Sequence, residues 1–97
     1  MKVSKPKVTL LAQGEKYKTK RMQANAGELL PKHKASVESV LVVTHGACNL
    51  NINNGDHRMN PGDVYVIPAE VTHQIKAIED LSAIHIMPHD IKFEFFT

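Results

Sequence analysis

The chain has one cysteine, no tryptophan, five glycines that never cluster and no long apolar run. With Cys48 alone, an intrachain disulfide and a cysteine-based zinc site within a monomer are both excluded, and a reducing, cytoplasmic setting is expected. Dispersed glycines leave neither a phosphate-cradling loop nor a dinucleotide fingerprint. The start, Met-Lys-Val-Ser-Lys-Pro-Lys-Val-Thr-Leu-Leu-Ala, is basic, but its apolar stretch is too short for a signal-peptide core. No other run approaches the length of a membrane span, so no membrane partner is expected. Aromatic residues make up only 5% of the chain, and the lysine-rich stretch carries Tyr17 as its one base-stacking candidate, which argues against a nucleic-acid partner.

What is present suits one compact domain covering residues 1–97. A hydrophobic fraction of 42% and a net charge of +2 lie in the ordinary globular range. Charge is unevenly spread. Residues 1–34 hold nine Lys or Arg against Glu15 and Glu28, a balance of +7, while the remainder carries −5. Lys16, Lys18 and Lys20 alternate, which predicts one solvent-facing side of a strand, where lysines also discourage edge-to-edge pairing. The other reading of this stretch is an interaction module whose basic strand meets an acidic partner.

Short β-branched segments between turn signals predict an all-β fold. Strands are expected at Val8–Ala12 and Lys16–Gln23, at 32–35, at Val37–Thr44, at Val64–Ile67, at Thr72–Ile78 and at Leu81–Met87, with an edge strand in Ile91–Phe96. In the 32–35 segment the alternation turns Lys32 and Lys34 to water and His33 and Ala35 inward. Asn53-Asn54-Gly55-Asp56 predicts a hairpin with Asn54-Gly55 at its corner and arms Leu50–Asn53 and His57–Met59. Val37–Thr44 is apolar at nearly every position and wants cover on both faces, which makes a homodimer the expected assembly.

Two segments carry a recognisable punctuation. From Gly27 there are five residues to His33, and Gly46 closes that segment; from Gly62 there are five residues to Pro68 and four more to His73. This spacing resembles the two motifs of a small single-domain cupin, over about residues 27–46 and 62–77. The resemblance implies a jelly-roll β-barrel, also described as a double-stranded β-helix. Cupins that hold a metal use two histidines and a glutamate of the first motif and the histidine of the second. Here Ala35 stands at the second histidine, Ser39 at the glutamate, Glu70 at a glycine of the second motif and Ala77 at its asparagine.

The implied ligand site therefore consists of His33, Ala35, Ser39 and His73. Two imidazoles without a carboxylate are short of the three or four ligands that transition metals ordinarily take. A divalent metal (Zn, Fe, Mn or Ni) at low occupancy would need His33 and His73 plus a third ligand, for which His85 or Glu70 is the candidate. Glu38 would need a bulge to turn inward, and His45 precedes the turn glycine; His57 and His89 read as surface loop residues. Ser39 beside His33 lacks an elbow motif and an orienting carboxylate, so no catalytic residue is assigned. The leading expectation is a cupin barrel that binds a small polar or anionic molecule without established catalysis. The alternative is a metal-dependent isomerase or dioxygenase, and whether the chain is an enzyme stays open.

Overall fold

A computed structural model describes residues 2–96. Ten strands run β1 Lys7–Gln13, β2 Tyr17–Ala24, β3 Lys32–Ala35, β4 Ser39–His45, β5 Cys48–Ile52, β6 Gly55–Met59, β7 Val64–Ile67, β8 His73–Ala77, β9 Leu81–Pro88 and β10 Phe93–Phe96. They form two five-stranded antiparallel sheets, ordered β1-β2-β9-β4-β7 and β10-β3-β8-β5-β6. The architecture is the all-β jelly roll. None of the described residues forms a helix long and apolar enough to cross a membrane.

Alternation along the strands builds the interior. Leu41 and Val43 of β4, Cys48, Leu50 and Ile52 of β5, Ile75 and Ala77 of β8, and Leu81 and Ala83 of β9 all point inward and are buried. A second, smaller apolar cluster of Ala35, Met87 and Ile91 closes on Val37 and Phe93. Inward positions of four strands fall between the two clusters and are polar: His33, Ser39, His73 and His85. The barrel thus has a polar layer between an apolar floor and an apolar shoulder. Cys48 lies in the floor, where burial pushes its thiol up to about 11 and leaves it unreactive.

Two expectations are corrected by the register. First, Lys20 pairs with His85 and Lys18 with Met87, so both lysines share the inward face of that sheet with barrel residues and are half-buried. Lys16, just ahead of the strand, is exposed as expected; within β2 the residues alternate with the opposite face inward, and Thr19, Arg21 and Gln23 point out. Second, the hairpin corner is Asn53-Asn54, with φ of 54° and 60°, and Ile52 pairs with Gly55. Asn49 and Asn51 both donate to Asp56 Oδ1, at 3.0 and 2.8 Å, and that clamp holds the corner one residue earlier than the Asn-Gly signal suggests. Gly46, at φ 73°, ends β4 against the Asp80 carbonyl, into which any Cβ would run.

Candidate functional site

His33 and His73 come from adjacent strands at their one register point, and their ring centroids lie 4.3 Å apart. Each ring is held the same way. Nδ1 of His33 donates to the Pro31 carbonyl at 3.1 Å, and Nδ1 of His73 donates to the Val71 carbonyl at 3.0 Å. A carbonyl only accepts, so the proton sits on Nδ1 and each neutral ring keeps its Nε2 lone pair. Burial lowers both pKa values below the usual histidine range, the backbone bonds oppose that shift, and the neighbouring His33 lowers His73 further.

Ser39 is buried, and its Oγ lies 2.8 Å from His85 Nε2 on the facing strand. No local pattern signals this contact, because the two residues are joined only by the β4–β9 pairing. His85 is pushed down to about 4, first by burial and then by its proximity to His33, His73 and Lys20. At neutral pH the polar layer is therefore three uncharged imidazoles and a hydroxyl. Ala35 is buried in the second apolar cluster beside Met87 and Ile91 and contributes no polar group.

The cup opens toward one rim. A cavity of about 350 Å³ is lined by His33, His85 and Lys20 together with Val8, Met22, Met87, Phe93 and Phe95 and two prolines. Phe93 and Phe95 stand 5.6 and 5.2 Å from the His33 ring. His73 faces the far side of the polar layer, where a separate cavity contains Asn51, Asn53 and Thr72.

The remaining candidates lie elsewhere. Glu70 is exposed and pairs with Lys34 at 3.5 Å on the outer face of β3, away from the histidines. Glu38 is exposed ahead of β4, with no bulge to turn it in, and His45 faces outward at the end of that strand. His57 is exposed but lies in strand β6, with its ring near Tyr65, rather than in a loop; His89 lies in the turn after β9, as expected, with its Nε2 donating to the Gly14 carbonyl. The donor set does not fit a resident transition metal as arranged. Among the described residues no three His, Cys, Asp or Glu side chains gather around one point, and the nearest third imidazole is engaged by Ser39.

The profile of the cupin domain matches residues 20–87, which takes in the whole polar layer. The chain belongs to the cupin family. Solved structures agree on the fold at low identity. A cupin superfamily protein from Desulfitobacterium hafniense is 17% identical over 93% of this chain and 83% of its own, with a TM-score of 0.80. KdgF from a Halomonas species is 20% identical over 84% and 76%, with a TM-score of 0.78. Salicylate 1,2-dioxygenase from Pseudaminobacter salicylatoxidans reaches a TM-score of 0.82 at 13% identity over 93% of this chain, but this cupin spans only 30% of its length. No curated protein matches the chain.

Proposed function

We propose that this cupin binds a small polar or anionic molecule in its barrel, through His33, Ser39 and His73 with Ala35 in the adjoining apolar cluster, and without established catalysis. The observation that carries this reading is the layer of uncharged, oriented hydrogen-bonding groups between two apolar clusters, open to solvent at one end. Oriented polar groups in an apolar cup fix a ligand's direction, while the apolar wall supplies most of its burial. Ser39 and His85 are hydrogen-bonded to each other at 2.8 Å, but among the described residues no carboxylate is hydrogen-bonded to either to orient them as a catalytic pair. The test is a chemical-shift titration of the imidazole signals with a panel of small anions and neutral polar molecules. Saturable movement of His33 and His85 is expected; a panel that leaves every imidazole unmoved would sink the reading.

One observation favours the metal-dependent alternative. Metal-binding histidines commonly donate one ring nitrogen to a carbonyl, and His33 and His73 both do so. A metal would require His85 to leave Ser39. Stoichiometric Zn, Fe, Mn or Ni in tag-free protein, lost in both His33→Ala and His73→Ala, would establish that alternative.

The partner side of the proposal is a second copy of the chain. The outer face of β9, β4 and β7 presents two rows of β-branched residues, Ile86-Val40-Val66 and Ile84-Val42-Val64, aligned by register. Val64 and Val66 are 58% and 50% exposed, and no charge interrupts the rows.

A further inference from the structure

The geometry points to an aromatic monocarboxylate as the ligand class of the cup, with Lys20 as the counter-charge and the Phe93–Phe95 wall as the ring platform. This rests on the reading of the barrel as a ligand cup and narrows it. Of the ten residues that line the cavity, seven are apolar, two are imidazoles, and Lys20 is the single fixed charge. No carboxylate lines the cavity, and among the described residues no acidic side chain is paired with Lys20. A lysine that is half-buried as a residue and lines an apolar cup without a counter-ion favours one negative group on the incoming molecule. It is also a poor match for polyhydroxylated sugars or for dianions, which would need more donors than this wall offers.

The wall specifies the rest of the molecule. Val8 and Phe95 are 53% and 61% exposed, apolar surface left open at the rim that a flat apolar body would cover. Phe93 lies 6.0 Å from His85 and 6.4 Å from Phe95, so the three rings with His33 frame a slot for a fourth in offset or edge contact. Met22 and Met87 add thioethers, which pack favourably against ring edges. A carboxylate toward Lys20 and a ring against Phe93 and Phe95 satisfies both halves of the cavity at once. His33 and His85 then lie beside the ring rather than under the charge.

The test uses benzoate, benzamide, acetate and inorganic phosphate as probes on the full chain. Each is titrated by calorimetry and by the shifts of the His33, His85 and Phe93 signals. Benzoate should saturate below about 1 mM, with benzamide and acetate each at least tenfold weaker, because one lacks the charge and the other the ring. In Lys20→Met benzoate should weaken about tenfold to the level of benzamide, while benzamide stays within twofold, a pattern that general loss of folding would not produce. Acetate or phosphate binding as tightly as benzoate, or an unchanged benzoate affinity in Lys20→Met, overturns the ligand class and leaves the cup reading intact. Shifts from none of these four, but from a neutral sugar probe, would do the same. Silence of the cup signals toward every probe overturns both.

Discussion

Glu70 sits where the second cupin motif has glycine, and its φ of 64° is in the left-handed region that side chains avoid. A non-glycine residue there costs about 1–2 kcal/mol, and its surface pair with the half-buried Lys34 returns less than about 1 kcal/mol. Glycine relieves the strain but loses about 0.5–1 kcal/mol of backbone entropy, so Glu70→Gly should stabilise the fold by about 0.5 kcal/mol in urea denaturation. A clear loss of stability would mean that the Lys34 contact outweighs the strain. The histidines act in the opposite sense on acidification. His33, His73 and His85 all have folded pKa values below the unfolded 6.5, so stability is fully present above that value and falls as the unfolded chain takes up protons that the folded barrel refuses. For His85, whose window extends down to about 4 and whose neighbours are Ser39, Lys20, His33 and Phe93, the loss between pH 7.5 and pH 5 is about 2 kcal/mol. His85→Gln should flatten that part of the slope; an unchanged slope would show that His85 is not the group that titrates.

The β5–β6 hairpin shows what local sequence signals can and cannot settle. A corner at Asn54-Gly55 and the observed corner at Asn53-Asn54 turn the same residues inward, because the two registers differ by an even number of positions. The apolar pattern therefore cannot choose between them, and the Asp56 clamp does. Donation from Asn51 and Asn49 also holds the Asp56 carboxyl below the usual range. Gly55 has an ordinary φ and only van der Waals neighbours, so Gly55→Ala should be neutral or stabilising by up to about 0.5 kcal/mol. Asn54→Gly, which places glycine at a true positive-φ site, should be stabilising by a similar amount. Thermal unfolding of the two variants decides the register: marked destabilisation by Gly55→Ala would restore the Asn54-Gly55 corner. The same limit applied to β2. Its alternation was legible, yet both of its faces are polar, so only pairing with β9 shows that Lys20 looks into the cup. Motif spacing, by contrast, brought His33 and His73 to one point because glycine and proline positions fix where each strand begins. The Ser39–His85 contact joins residues 46 apart in sequence, and no local pattern encodes it.

At the scale of the molecule, the uneven charge and the apolar outer rows point to the same assembly. Consider two copies packed through the β9-β4-β7 face with a two-fold axis along the strands. Each Ile-Val row then meets its counterpart, and the flank bearing Lys7 and Arg21 lies opposite the flank bearing Glu38 and Asp63. Six side chains cover less than the roughly 800 Å² per partner of a standard interface, so the pairing should be concentration-dependent rather than obligate. Light scattering across a dilution series should show a mass approaching twice the 10.8 kDa of one chain at high concentration and falling on dilution. High salt should shift the equilibrium toward monomer, since the flanking charges attract across the axis. Val64→Lys with Val66→Lys places four ammonium groups at the centre of a two-fold contact. That variant should be monomeric at every concentration, with a melting temperature close to that of the parent at low concentration, because both positions are largely exposed. A parent chain that stays monomeric at the highest concentrations, or a variant that dimerises as well as the parent, would remove this face as the contact and leave Val40, Val42, Ile84 and Ile86 as outward packing within a single barrel.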